Sequence, residues 1–378
     1  MSGTSYWEEE FFLKNIDYTV IGSGIVGLTC ALELRRLNPK SKIIILERGF
    51  LPSGASTKNA GFTCFGSPSE LLDDLTKTKE CDVFELVENR VKGLYKLRAL
   101  VGDSNMDYYE YGSYELFENT ELYENCISKL DYLNVELHKI FKANTFEVFS
   151  NAHEFGLDKK SLLIKNNFEG QINTGKMMKK LLHLTRTAGI EILNGFDVDD
   201  FKFINNKWEI YNTQTTLKTT KLILCNNAFA SKFYPKLDLK PARAQVLITN
   251  PIEGLKLKGC FHMDQGYYYF RNVGNRVLLG GGRNLDFKAE ETFEMNTSEK
   301  IQNELTNLLK TKILPNQPFE IEKSWAGIMG VGSSKSTYIK QLDQGLYCAV
   351  RMGGMGIALG TNVGHEVAEL ASETGLTF

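Results

Sequence analysis

A chain of 378 residues is long enough for two or three domain-sized units with sizeable cores, which excludes a single small module. Hydrophobic residues at 42% and charged residues at 24% are ordinary globular usage and exclude a disordered, collagen-like or coiled-coil chain. With 44 Lys and Arg against 46 Asp and Glu the formal charge is −2, so no overall electrostatic footprint for nucleic acid is expected.

The opening segment, Met1 to Asp17, sets Glu8, Glu9 and Glu10 beside Trp7, Phe11 and Phe12 and lacks the basic and apolar regions of a secretory signal. No run approaches the roughly 18 to 20 apolar residues of a membrane-spanning helix. Tyr18-Thr19-Val20-Ile21 then reads as a strand, Ile25 to Leu37 as a helix ending near Asn38-Pro39, and Ile43-Ile44-Ile45-Leu46 as a buried strand. Together they make a βαβ unit. Glu70 to Leu100 and Glu121 to Phe141 predict charged helices around a strand in Tyr108 to Phe117. Met177, Leu181, Leu184 and Ala188 share one face of a helix that Gly189 should end, and Ile190 to Leu193 and Lys221 to Cys225 read as strands. Arg243 to Gly282 is strand-rich, with a turn at Gly274-Asn275, and predicts a larger antiparallel sheet. The chain closes with the glycine-rich stretch Gly353 to Gly360 and a helix bearing Val363, Val367 and Leu370.

Seven cysteines, Cys30, Cys64, Cys81, Cys126, Cys225, Cys260 and Cys348, are scattered without a C-x-x-C pair, which suits a reducing, cytoplasmic compartment. His138, His153, His183, His262 and His365 are equally dispersed, so no metal site is expected.

Gly22-Ser23-Gly24-Ile25-Val26-Gly27 fits G-x-G-x-x-G between a strand and a helix, the context in which a pyrophosphate meets backbone N–H groups. Glu47 ends the second strand twenty positions after Gly27, where a carboxylate accepts ribose hydroxyls and disfavours a 2′-phosphate. The motif alone leaves NAD and FAD open.

The next loop, Glu47-Arg48-Gly49 and then Gly54-Ala55-Ser56-Thr57-Lys58-Asn59-Ala60-Gly61-Phe62, resembles, together with the fingerprint, the D-amino-acid-oxidase-like superfamily of FAD-dependent oxidoreductases, which includes the glycine and sarcosine oxidases. Similar blocks follow in family order. Gly170-Gln171-Ile172-Asn173 looks like the second dinucleotide-domain segment and Phe196-Asp197-Val198 the stretch that meets adenine. Asn226-Asn227 stand where relatives have small residues, and Ser324-Trp325-Ala326-Gly327 resembles a late strand. Arg351-Met352-Gly353-Gly354-Met355-Gly356 is similar to the final flavin loop, where a helix start would stabilise charge on reduced flavin.

The resemblance implies an α/β fold: a discontinuous Rossmann-like FAD-binding domain (1–80, 161–235 and 331–378) and an α+β substrate domain on a mostly antiparallel sheet (81–160 and 236–330). It also implies oxidation of the C–N bond of an amine or amino acid by hydride transfer to flavin N5, with oxygen or another acceptor. A 2-hydroxy-acid dehydrogenase and a catalytically silent flavin-binding subunit stay open as alternatives. FAD is expected to be non-covalent, since Gly54 to Phe62 has no His and Ser324 to Lys340 no Cys. The family's usual carboxylate anchors, an arginine near Met329 or a lysine near Ala358, are missing. Arg351 is the first replacement, with Arg271 and Arg283 as alternatives; Tyr267, Tyr269 and Arg271 alternate onto one strand face as an aromatic wall with a cationic end. For each arginine a structural salt bridge is the equal alternative, and for the tyrosines ordinary sheet packing is.

Overall fold

The computed structural model describes residues 4–373. From the first predicted strand it runs β1 (Ile16–Ile21), α1 (Ile25–Leu37), β2 (Ile43–Glu47), α2 (Ala55–Lys58), β3 (Phe62–Thr63), α3 (Pro68–Lys77) and α4 (Glu80–Val101). Next come α5 (Asp103–Met106), β4 (Ser113–Phe117), α6 (Thr120–Ser128), α7 (Leu130–Phe141), β5 (Phe146–Phe149), β6 (Leu162–Asn166) and β7 (Gly170–Gln171). The middle of the chain forms α8 (Thr174–Thr187), β8 (Glu191–Asn194), β9 (Asp200–Ile204), β10 (Lys207–Tyr211) and β11 (Thr216–Leu224). The last third holds β12 (Lys240–Thr249), β13 (Cys260–Met263), β14 (Tyr268–Val273), β15 (Arg276–Gly281), α9 (Glu299–Leu308), β16 (Ile321–Val331), β17 (Tyr338–Asp343), β18 (Leu346–Val350) and α10 (Gly356–Glu373).

Two eight-stranded sheets organise these elements. In the first, β18, β11, β1, β2 and β8 are parallel neighbours, with antiparallel β17 on one edge and the β9–β10 hairpin on β11. All five β2 residues are buried, as helices on both faces of a parallel sheet require. Gly189 follows α8 at φ +69°, the left-handed residue that lets the chain turn into β8. The second sheet runs β16-β12-β15-β14-β13-β4-β6-β5 and is antiparallel throughout except between β13 and β4. This is the α/β architecture with a mostly antiparallel second sheet that the resemblance implies.

Two domain boundaries differ from the sequence reading. The 81–160 segment begins with α4, whose Leu97 and Val101 join the core of α1 and α10, while its Val83, Val87, Val91 and Leu94 pack with Leu133 and Phe146 of the other unit. A side chain at Gly93 would collide with the Ala358 carbonyl of α10, so the glycine permits this close crossing. One helix of 22 residues thus serves both cores, and its spacing alone does not reveal that. The 161–235 segment in turn begins with β6, which pairs with β4 and β5 in the second sheet. The predicted strand Tyr108 to Phe117 is narrower, Ser113–Phe117. Residues 1–3 and 374–378 of the end segments lie outside the described residues.

Candidate active site

One cavity of about 850 Å³ is lined by residues of both sheets. At one end are Ile21 to Val26, Glu47 and Arg48, beside Phe196, Asp197 and Val198. Gly22 turns the chain at φ +106°, where a Cβ would stand 2.9 Å from the Cys225 carbonyl oxygen. Gly27 is not a lining residue; a Cβ there would collide with the Gly22 carbonyl, so its role is close helix-to-strand packing. Glu47 is buried and accepts hydrogen bonds from the Ser23 N–H (3.2 Å) and hydroxyl (2.6 Å), the Gly49 N–H (3.0 Å) and the Ser53 hydroxyl (3.0 Å). The Arg48 guanidinium lies 3.9 Å from the Phe229 ring centroid.

Gly54, Ala55, Ser56, Lys58, Asn59, Ala60 and Gly61 line the next stretch. Thr57 faces away, its hydroxyl donating to the Pro52 and Gly54 carbonyls. Ser56 Oγ accepts the Ile25 N–H at 2.9 Å, which ties this loop to the start of α1. Opposite stand Gly353, Gly354, Met355 and Gly356 at the start of α10, Gly353 and Gly354 at φ +55° and +89°. Two helix N-termini, α1 after the glycine N-cap Gly24 and α10 after the Gly353-Gly354 turn, open on one cavity, and both favour negative charge there. Asn226 and Asn227 also line it, each with a buried Oδ1 that lacks a hydrogen-bond partner among the described residues. The glycines and helix-start N–H groups fit the pyrophosphate of a dinucleotide, while the two Asn oxygens, which only accept, fit N–H or O–H donors elsewhere on such a cofactor.

The other end is built on a row of cross-strand neighbours, Trp325, Val246, Gly280, Tyr269, His262 and Glu115, one from each of β16, β12, β15, β14, β13 and β4. Direct partners point to one face, and here it is the cavity face for Val246, Tyr269 and His262. Gly280 has no side chain because the Tyr269 ring occupies that space. Tyr267 and Arg283 complete this end with Phe62, Cys64 and Glu70. Arg283 is half-buried, and its guanidinium lies 4.7 Å from the Phe287 ring centroid with no hydrogen bond or ion pair among the described residues. Glu70 is placed by a capping box at the start of α3, its carboxylate accepting the Ser67 N–H at 3.1 Å.

Two of the candidate arginines do not reach the cavity. Arg351, at φ +69°, donates to the Ser336 carbonyl (2.8 Å), the Asp238 carboxylate (2.6 Å) and the Ser334 hydroxyl (3.3 Å). Its charge is spent on a loop contact, which removes it as a substrate anchor. Arg271 does share the face of Tyr269, but its guanidinium is buried and donates to the carbonyls of Ala60, Ile172 (3.0 Å) and Asn272 (3.1 Å). It holds the Gly54 to Gly61 loop against the second sheet. The expected dispersion of His and Cys also gives way, because Cys64, Glu169 and His262 bring one donor atom each within 4.8 Å of one another. Both Glu169 oxygens already accept two hydrogen bonds, so the group reads as a hydrogen-bonded pair beside a thiol. Sequence reasoning missed His262, Glu169, Cys64 and Glu70; a histidine inside the apolar run Cys260 to Met263 was the available signal.

The family model described as "FAD dependent oxidoreductase" matches residues 17–370. D-amino acid dehydrogenase of Helicobacter pylori is 21% identical over 406 residues, covering 94% of this chain and 95% of that protein. The probable oxidoreductase OrdL of Haemophilus influenzae is 21% identical over 394 residues, covering 94% and 83%. Glycine oxidase from Bacillus cereus superposes with a TM-score of 0.75 at 18% identity, covering 96% of this chain and 98% of that one. L-proline dehydrogenase from P. horikoshii does so with a TM-score of 0.74 at 17% identity, covering 95% and 94%, which at such identity is a likeness of fold. With the family model spanning nearly the whole chain and a cradle that suits its cofactor, the protein belongs to the FAD dependent oxidoreductases.

Proposed function

We propose that the protein oxidises the C–N bond of an amine or amino acid that carries an anionic group. Bound FAD supplies the two-electron acceptor for the hydride. Gly22, Gly24 and the first turns of α1 and α10 would hold its polar parts, and Glu47 would meet the ribose hydroxyls. The chain's own task is then to bind the substrate and orient its C–H bond. The observation that carries this reading is Arg283, a cavity-lining guanidinium without an acceptor among the described residues, beside the Tyr267 and Tyr269 wall. Such a group suits bidentate binding of a carboxylate. Seven free cysteines support a reducing, cytoplasmic setting, and among the described residues no helix is long and apolar enough to cross a membrane.

Anaerobic titration of the yellow holoprotein with amines, amino acids and 2-hydroxy acids tests the reading. Bleaching of the flavin by an amine or amino acid is the expected result. Reduction by hydroxy acids alone would replace it with the hydroxy-acid reading, and no reduction by any member would leave a silent flavin-binding subunit.

A further inference from the structure

His262 lines the cavity, and its ring meets Phe62 edge-on with 5.5 Å between centroids. Its Nε2 lies 3.1 Å from Glu169 Oε2, and the Glu169 residue has no solvent exposure. Glu169 is held as a carboxylate by further donors: the N–H groups of Phe65 (2.6 Å) and Gly66 (3.1 Å) on Oε1 and the Ser113 hydroxyl (2.6 Å) on Oε2. An ionised carboxylate only accepts, so the proton of a neutral imidazole sits on Nε2 and the lone pair on Nδ1. Nδ1 has no partner among the described residues.

Burial by itself would push the imidazole pKa down, but the hydrogen bond and charge of Glu169 override it and the net direction is up. Burial likewise pushes Glu169 up, and the bonds from His262, Ser113 and Phe65 bring it below the usual range. The other groups facing the ring are Glu70 of α3, Glu115 of β4, Cys64 after β3 and Tyr269 of β14. The two glutamates reinforce the upward shift, while burial pushes the Cys64 thiol and, to about 12, the Tyr269 phenol up, so both are neutral.

Amines reach a protein at neutral pH mostly as ammonium ions, whereas hydride loss from the neighbouring carbon needs the nitrogen lone pair to form the C=N bond. We propose that His262, oriented by Glu169, is the base that takes the proton from the substrate's ammonium group before oxidation. One N–H bond breaks, its electron pair stays on nitrogen as the lone pair, and the proton passes to Nδ1. The resulting imidazolium is stabilised by the Glu169 carboxylate and returns its proton to water after turnover. A carboxylate-oriented imidazole aimed at a reacting proton is the general arrangement of an activated base. The proposal rests on the amine reading above.

Flavin reduction in the holoenzyme, followed against pH, tests it with two probes: an amine that bleaches the flavin, and its β-fluorinated analogue, whose amine is already neutral at the assay pH. With the first probe, kcat/KM of the native protein should rise through a midpoint above 6.5, the ordinary histidine value, because the base works only when neutral. Glu169→Gln should move that midpoint to lower pH, since burial remains and its counter-effect goes. His262→Asn should abolish the midpoint and slow reduction by the ammonium probe about 100-fold, with little loss for the fluorinated one. Flavin content and spectrum verify folding, and Glu169→Gln carries the test if His262→Asn does not fold. An unchanged pH profile in the variants, equal losses with both probes, or equimolar metal in the native protein would overturn the base assignment. Failure of every amine to reduce the native flavin would instead overturn the functional reading beneath it.

Discussion

Arg283 and Arg351 are both arginines that follow a glycine-flanked strand end, and their partners separate them. Arg351 has its guanidinium filled by Asp238, Ser334 and Ser336, whereas the Arg283 guanidinium lies over the face of Phe287 and has no hydrogen-bond acceptor among the described residues. Charge-assisted bonds to a charged group contribute roughly 1.5–3 kcal/mol, which is about 10- to 100-fold in binding. Arg283→Met is therefore expected to raise KM for the carboxylate-bearing substrate by that factor while FAD occupancy stays full. Arg351→Met is expected to leave KM alone and lower the melting temperature modestly, because it removes the buried guanidinium's bonds to Asp238, Ser334 and Ser336, whose own groups stay solvated or, for Asp238, bonded to Ser333. Steady-state kinetics and thermal melts on both variants check this; a KM effect at Arg351 without one at Arg283 would reverse the assignment.

At the scale of elements, the second sheet works as a register device. Pairing of β14 with β13 and of β13 with β4 sets Tyr269, His262 and Glu115 side by side, and a slip by one residue in any strand would turn its member of the row away. The row also carries a stability cost. Burial pushes the Glu115 carboxyl up to about 7, against hydrogen bonds from the hydroxyl and N–H of Ser69 that favour the ionised form. A carboxyl whose folded pKa is raised binds its proton more tightly when native, so stability is full at low pH and falls as pH rises from the unfolded value to the folded one. From 4.5 to about 7 that amounts to about 3 kcal/mol. Denaturant unfolding at pH 5 and pH 8 is expected to show a smaller loss in Glu115→Gln than in the native protein by about 2.5 kcal/mol, the part of that change that falls above pH 5. Equal losses would mean that water reaches Glu115.

For the whole molecule, the cofactor cavity draws its walls from distant parts of the chain. The turn after β1, the loop after β2, the end of β11 and the start of α10 meet around it. We propose that this enclosure holds FAD without a covalent bond. Cys64, a cavity residue capable of covalent attachment, is buried, with its thiol pushed up and kept protonated. Cys225, which also lines the cavity, is a buried thiol pushed well above its usual range. Acid precipitation is expected to release all the flavin into the supernatant; colour retained in the pellet would show a covalent link. Because FAD binds only the native fold, an excess of 100 times Kd should add about 2.7 kcal/mol to stability.

What the sequence by itself determined is local in kind. The βαβ unit and its glycines, the closing glycine loop with its helix, and the Gly274-Asn275 hairpin are each written in a few adjacent residues, since turn chemistry and hydrophobic period act over that range. The order of these blocks along the chain was enough for the family and its cofactor. Only the tertiary structure decided which side chains face the cavity. Sequence proximity to the glycine loop favoured Arg351, but the side chain turns to Asp238; strand alternation placed Arg271 correctly by face, but not the carbonyls that consume it. Glu169 and His262 are 93 positions apart and meet because β13 lies parallel to β4, where the Ser113 that binds Glu169 also sits. A pair of that kind depends on a register between strands remote in the chain, and no short-range pattern of residues encodes it.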